Sequence, residues 1–372
     1  MTGRNITAIT MPKWGLTMTE GTVVGWLRQQ GQRFAEGDEI LEIETPKITN
    51  VVEATYGGTL RRIVAQPGAT LPVGALLAVA AADEVPEAEI EAFVAGFAVV
   101  EPSARQEEAE GAKPRDIDVA GRRLRYLGLG EGDGTPVLLV HGFGADLNAW
   151  MFNQPVLAER RRVIAVDLPG HGGSDKAVDG GKAETLADAV AGAADALDIG
   201  RAHLVGHSLG GAIAALLALR RPERVASLTL IASAGLGPEV NAAFLDGFLR
   251  AGRRREAVEV LGLLVHDPAL VSRTMVEDVL RYKRLDGVAA ALSSIAQACF
   301  PGGRQSLDLA AEIATLAVPV QLIWGREDRI IPVAHAEALA GRLPVHILDQ
   351  SGHLPHMEKA PEVNRLISRF IE

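Results

Sequence analysis

Cysteine occurs once, at Cys299, so no intrachain disulfide framework can form and a reducing compartment is expected. Positive charge is in deficit: the formal net charge is −10, which argues against nucleic acid as the main partner. Nowhere is there a run of about 18 uncharged apolar residues, and Met1 to Thr7 form no apolar leader. No membrane partner is therefore expected, and the cytoplasm is the expected location. No Cys/His spacing suits a metal, so no metal is expected either. What is present is a globular composition, 48% hydrophobic and 23% charged, in a chain of 372 residues that is long enough for two domains.

The most informative stretch is Leu204-Val205-Gly206-His207-Ser208-Leu209-Gly210-Gly211. It reads as a buried strand that breaks sharply into a helix, with a serine at the break. In a G-x-S-x-G turn the glycines two before and two after the serine leave room for tight packing, and the hydroxyl is lifted above the sheet. The following helix would aim its N-terminus at that hydroxyl and leave the Leu209 N–H free for a developing oxyanion. Ala202 to Val205 before the turn and Gly211 to Leu219 after it supply the strand and the helix that this arrangement requires.

Residues 1–80 contain a two-fold echo at a constant offset of 37 residues. Gly21-Thr22 answers Gly58-Thr59, Gly31 answers Gly68 and Gly37 answers Gly74, while Val23, Trp26, Leu27, Phe34 and Ile40 answer Leu60, Ile63, Val64, Leu71 and Leu77. Short β-type runs punctuated by glycine fill each half. Two copies are too few for a solenoid, so two small sheets facing each other as a flattened barrel are expected. Between the halves, Ile43-Glu-Thr-Pro-Lys47-Ile-Thr-Asn-Val-Val forms two strand-like arms that meet at a Pro-Lys tip, which displays Lys47. This stretch is similar to the lipoyl domains of 2-oxo acid dehydrogenase complexes, whose Glu-Thr-Asp-Lys-Ala hairpin carries lipoic acid on its lysine. Met11-Pro-Lys-Trp-Gly-Leu-Thr-Met18 and the pair Gly31 and Gly37-Asp38 fit the same family, whereas Pro46 stands in place of its aspartate and Ile48 in place of its alanine. Biotin carriers flank the lysine with methionines, which this chain does not. The resemblance implies an all-β lipoyl domain over residues 1–80 with lipoate attached covalently to Lys47. A solvated turn lysine is the plainer alternative.

Residues 81–115 carry nine acidic side chains against three basic ones, most of the excess charge of the chain. Within them Ile90, Phe93, Val94 and Phe97 recur at helical spacing after Pro86, with acids crowding the first turn. The segment is expected to be an acidic linker holding a short amphipathic helix over 86–99. That helix must bury its stripe on the second domain, on a sister chain or on a partner, and the second domain is the expected cover. No peripheral subunit-binding module of the kind that usually follows a lipoyl domain is recognisable.

From Asp116 onward strands alternate with helices, the signature of a mostly parallel sheet covered on both faces. Expected strands are 122–127, 137–141, 163–167, 202–206, 225–231, 320–324 and 345–348. The stretch 235–306 lacks strands and reads as a helical cap over the serine. Val140-His-Gly-Phe-Gly144, Asp167-Leu-Pro-Gly-His-Gly-Gly-Ser-Asp175, the Ser208 turn, Trp324-Gly-Arg-Glu-Asp328 and Gly352-His353 resemble the α/β-hydrolase superfamily over residues 116–372. In that family the chain order is serine, acid, histidine. The resemblance therefore assigns Ser208, Asp328 and His353 as catalytic residues, and the Phe143 N–H as the second oxyanion donor beside that of Leu209. His356 is the rival base, and Glu327 and Asp349 are the rival acids. His141, His171 and His207 suit bracing roles. Trp150 and Phe152 suit either an acyl pocket or the core. Arg253 to Arg255 suit a solvated helix face better than a phosphate site.

The order of the two parts resembles the acetyltransferase components of bacterial acetoin dehydrogenase systems. By that resemblance an acetyl group passes from the lipoyl arm to coenzyme A, with thiamine-diphosphate-dependent acetoin dehydrogenase subunits and dihydrolipoamide dehydrogenase as partners. A homo-oligomer is compatible with this. The His-x-x-x-Asp-Gly motif of the usual trimeric acyltransferase domains is absent, so transfer would use Ser208. Two alternatives stay open: a serine thioesterase or carboxylesterase that carries a lipoyl domain, and a protein that is chiefly a lipoyl carrier and assembly subunit.

Overall fold

The computed structural model describes residues 6–12, 18, 20–45, 49–54, 56–97 and 113–372. They form two compact units, one built chiefly from residues 1–110 and one within residues 111–372.

In the first unit glycine-punctuated runs become β1 (Ile6–Thr10), β2 (Glu20–Trp26), β3 (Arg33–Phe34), β4 (Glu39–Glu44), β5 (Thr49–Glu53), β6 (Gly58–Ile63), β7 (Thr70–Pro72) and β8 (Leu76–Ala81). They pair antiparallel in two four-stranded sheets, ordered β1-β8-β6-β3 and β5-β4-β2-β7. Alternate residues, among them Val23, Ile40, Ile43, Leu60 and Leu77, turn inward to one apolar core. The repeat explains the strand orders. A shift of 37 residues carries β4 onto β8 and β2 onto β6, so each half supplies the two central strands of one sheet. The short third strand crosses over: β3 joins the second half's sheet and β7 the first's. The backbone repeats bond for bond. Gly31 N–H donates to Leu60 O and Gly68 N–H to Val23 O, both at 2.7 Å, and the two glycines have φ of 88° and 86°.

The helical stripe does form a helix, α1 (Glu87–Gly96), with Glu87 and Glu89 in its first turn. Its cover differs from the expectation. Ile90 is fully buried in a cluster with Val79 and Ala81 of β8 and with Val85, and Phe93 and Val94 pack on the same cluster. Glu87 pairs with Arg61 and Arg62 of β6, and Glu91 lies 3.6 Å from Arg62. The reason is visible along β8: Leu77 faces the barrel core while Val79 and Ala81 lie in the separate cluster that α1 covers. A strand with apolar residues in both clusters needs a second layer, and the helix that follows it in sequence supplies one.

The second unit is an eight-stranded sheet in the order β16-β15-β14-β13-β11-β12-β10-β9. Its strands are β9 (Arg115–Val119), β10 (Arg122–Leu129), β11 (Val137–Val140), β12 (Val163–Val166), β13 (Ala202–His207), β14 (Val225–Ile231), β15 (Val320–Gly325) and β16 (Val345–Leu348). Pairing is parallel from β12 through β16 and antiparallel at β9 and β10. The central strands β11, β12 and β15 are buried at every position, as a sheet covered on both faces requires. Helices of eight residues or more in this unit are α2 (Ala183–Ala196), α3 (Leu209–Arg220), α4 (Ala242–Arg250), α5 (Arg254–Leu261), α6 (Arg273–Lys283), α7 (Val288–Cys299) and α8 (Ala360–Phe370). Helices α4 to α7 all fall between β14 and β15. The strand order reverses at β11, with β12 on one side and β13 on the other, and ligand sites of open α/β sheets form at such a reversal, beyond the strand C-termini. Among the described residues, no helix is long and apolar enough to cross a membrane.

Candidate active site

Strand β13 delivers Ser208 to that reversal. Its backbone stands at φ 53°, ψ −121°, a conformation that costs a non-glycine residue about 1–3 kcal/mol and persists only where the surroundings enforce it. Enforcement comes from both directions: Ser208 N–H donates to Ile231 O at 3.0 Å, and Ser208 O accepts from Gly211, Ala212 and Ala234. The flanking glycines are matters of room. A Cβ on Gly206 would run into the Gly210 carbonyl, and one on Gly210 into the carbonyls of Val140 and His141. The serine side is thus pressed against the end of β11. There the next residues, Gly142 and Phe143, meet the serine: a Cβ on Gly142 would stand 3.0 Å from Ser208 Cβ. Leu209 opens α3, so its N–H lies among the orphan donors of a helix N-terminus. Among the described residues neither Leu209 N–H nor Phe143 N–H has an acceptor.

Asp328 follows β15 and His353 follows β16. His353 Nδ1 and Asp328 Oδ2 are 2.8 Å apart, and both side chains are buried. Asp328 is itself fixed, since Oδ1 accepts the N–H groups of Ile330 at 2.8 Å and Ile331 at 3.0 Å. Its rivals have other work: Glu327 accepts Ser351 N–H, and Asp349 pairs with Arg326 at the surface. His353 reaches the serine's neighbour directly, because His207 Nε2 donates to His353 O at 2.8 Å and the two rings lie 4.9 Å apart. His356, the rival base, is fully buried with its ring 4.4 Å from that of His207 and 4.8 Å from that of Trp150, and burial pushes its pKa down to about 3. A base so reluctant to take a proton suits the core, and Trp150 beside it is core as well.

The other histidines brace. His141 Nδ1–H donates to Gly142 O and its Nε2 accepts Leu168 N–H, which ties the loop after β11 to the end of β12. His171 packs edge-on against His141 and Phe143, and burial holds its pKa near 3. From the helical stretch, Phe248 of α4 and Phe300 pack on Phe143 with centroids 5.8 and 6.4 Å away. Arg254 and Arg255 pair with Glu277 and Glu259 in solvent, as a plain helix face would.

Sequence reasoning missed Glu358. Its carboxyl is half-buried close to Asp328, receives three backbone N–H groups and has its pKa pushed up to about 7 by desolvation. The only signal was an acid within the apolar run His353-Leu-Pro-His-Met-Glu358. Lys47 lies outside the described residues. The strands on either side of it are paired, β4 to β5, with Glu44 opposite Thr49 as the last pair before it. No group of three or more His, Cys, Asp or Glu side chains suited to a metal occurs among the described residues.

The family model for the alpha/beta hydrolase fold matches residues 135–360, and a model described as biotin-requiring enzyme matches residues 7–79. A lipoyl-type β-domain and an α/β-hydrolase therefore share one chain. A solved structure, the meta-cleavage product hydrolase of Pseudomonas fluorescens, superposes with a TM-score of 0.63 at 30% identity, covering 69% of this chain and 96% of that one. Both parts together are matched by the dihydrolipoyllysine-residue acetyltransferase component of the acetoin cleaving system of Pseudomonas putida, 48% identical over 369 residues and 98% of each chain. The protein of that name from Cupriavidus necator is 46% identical over 98% of this chain and 97% of its own. The chain belongs to this family of dihydrolipoyllysine-residue acetyltransferase components of acetoin cleaving systems.

Proposed function

We propose that this chain transfers an acetyl group to coenzyme A as part of a multi-enzyme acetoin-cleaving assembly, with Ser208 as nucleophile, His353 as base and Asp328 as its orienting acid. The buried Asp328–His353 pair, whose histidine carbonyl accepts from His207 next to Ser208, and the strained turn of that serine together support the reading. Asp328 keeps the proton on Nδ1, so Nε2 faces the hydroxyl as an acceptor. His353 takes the Ser208 proton as Oγ adds to the carbonyl of an acetyl thioester, and the N–H groups of Phe143 and Leu209 hold the oxyanion. The C–S bond breaks, His353 returns the proton to the departing thiol, and acetyl-Ser208 remains. The thiol of coenzyme A then gives its proton to His353 and adds to that ester. Cleavage of the ester C–O bond restores Ser208 with its proton.

Lipoate on Lys47 would supply the thiol that carries the acetyl group. The paired strands β4 and β5, which bring the chain to and from Lys47, fit a displayed attachment lysine. The finer assignments belong to this reading too. The partners are thiamine-diphosphate-dependent acetoin dehydrogenase subunits and dihydrolipoamide dehydrogenase, the compartment is the cytoplasm, and residues 235–306 cap the site. With α1 packed on β8, the first domain runs to about residue 97.

The test gives lipoylated protein an acetyl-dihydrolipoamide donor with coenzyme A and measures acetyl-CoA against acetate. Acetyl-CoA in excess, lost by at least about 1,000-fold in Ser208→Ala, is the expected outcome. Acetate regardless of coenzyme A means a thioesterase, and undiminished transfer in Ser208→Ala means a carrier with no serine chemistry.

A further inference from the structure

We infer that Glu358 is the positioning residue of the base: its carboxylate grips the peptide N–H groups on both sides of His353 and locks that loop to the segment 262–266 that follows α5. Glu358 Oε1 accepts Gly352 N–H at 2.9 Å and Leu354 N–H at 3.3 Å, and Oε2 accepts His266 N–H at 2.7 Å. The grip does not act alone. His353 N–H donates to Leu264 O at 2.7 Å, and Arg329, next to Asp328, donates to Gly262 O at 2.6 Å and also to Val265 O. The loop of the acid and the loop of the base are therefore fastened to the same five residues of the helical insertion. The approach is close enough that a Cβ on Gly352 would stand 2.7 Å from the Val265 carbonyl carbon.

A carboxylate in this place is costly, since it is half-buried and sits beside Asp328. A neutral apolar side chain would avoid that cost, but it could not receive three converging donors, and the path they fix would be released. What the carboxylate contributes is a fixed path for the backbone through His353. Since Asp328 sets the ring's orientation and Glu358 the backbone's position, the two together determine where Nε2 stands.

This inference rests on His353 being the base, and the test separates the two claims. Glu358→Gln and Glu358→Ala in the full-length lipoylated protein are compared with wild type in three measurements: kcat and KM for acetyl-CoA formation, the rate at which a fluorophosphonate labels Ser208, and the unfolding temperature. Positioning predicts kcat per titratable serine down about tenfold in Glu358→Gln and more in Glu358→Ala, KM within twofold, and labelling slowed by the same factor as kcat. A purely structural role lowers the unfolding temperature and leaves kcat per labelled serine and the labelling rate unchanged, which overturns the inference. If Glu358→Ala fails to fold, Glu358→Gln decides, because it keeps one acceptor and nearly the same volume. Transfer that persists in Ser208→Ala overturns the serine reading instead, and is seen without any Glu358 variant.

Discussion

Residues 1–110 hold no histidine, and their described buried polar side chains are Thr45, Asn50 and Thr59; the second unit holds all nine histidines and buries His141, His171, His207, His335, His353 and His356. One was assembled by repeating a small apolar motif, and apolar burial with paired strands accounts for it. The other buries ionisable groups, several of them close to one strained serine, and each needs partners or loses its charge. The contrast teaches where function sits: a delivery scaffold needs only to be stable and to display a side chain, while a reaction centre needs buried polarity and the instability that comes with it.

Acid should divide the two units most sharply. His171 and His356 have pKa values pushed down to about 3 by burial, and His207 is held well below the ordinary value for the same reason. The unfolded chain binds protons as pH falls through about 6.5, while these folded imidazoles do not, so stability declines from there downward. Three such groups contribute on the order of 4 kcal/mol per pH unit. Glu358 works in the opposite sense. Its carboxyl, raised to about 7, keeps a proton that the unfolded chain loses above about 4.5, so it lends stability as pH falls through that window and offsets roughly one histidine. Calorimetry between pH 7 and pH 5 should therefore show the second unit's transition moving down by about 5 °C per pH unit below about pH 6.5, with the first unit's transition nearly still. Transitions that move together would erase the comparison.

The repeat, the Ser208 turn and strands such as Val225–Ile231 could be read from residue pattern because each is local: glycine at a fixed interval, a turn that only small neighbours permit, a β-branched run between breakers. What escaped was made by tertiary contact. Strand β9, Arg115-Asp-Ile-Asp-Val, is not among the expected strands because charge alternates along it, yet it pairs with β10 at the sheet's edge, where charged residues are usual. Helix α1 declared an apolar stripe, but a stripe names the need for cover and not the surface that meets it. Glu358 carried no pattern at all, because its three donors come from positions 266, 352 and 354.

Helix α1 offers the next test, since it decides how far the first unit extends. Ile90 is fully buried against Val79, Ala81 and Val85. Ile90→Ala removes three methyl or methylene carbons from that cluster and should destabilise by about 3 kcal/mol. In the full chain this appears as a drop of more than 10 °C in the first unit's transition, with the second unit's transition unmoved. An unchanged first transition would make α1 part of the tether and return the domain boundary to about residue 80.

The smallest expected effect probes the repeat itself. Gly31 and Gly68 both stand in the left-handed region, and nothing lies within 4 Å of where a Cβ would be added at either. A substitution there is opposed by backbone conformation alone, since no neighbour is displaced. Gly31→Ala and Gly68→Ala should each destabilise the first unit by about 1 kcal/mol, with asparagine less harmful than alanine at both. The decisive quantity is the difference between the two sites. Their N–H groups donate at the same length to Leu60 and Val23, partners that are themselves related by the repeat, so chemical denaturation should return equal losses within about 0.5 kcal/mol. A disparity of more than about 1 kcal/mol would mean that the two halves have diverged in energy while keeping their shape. The echo in the sequence would then be a record of ancestry rather than a present division of strain.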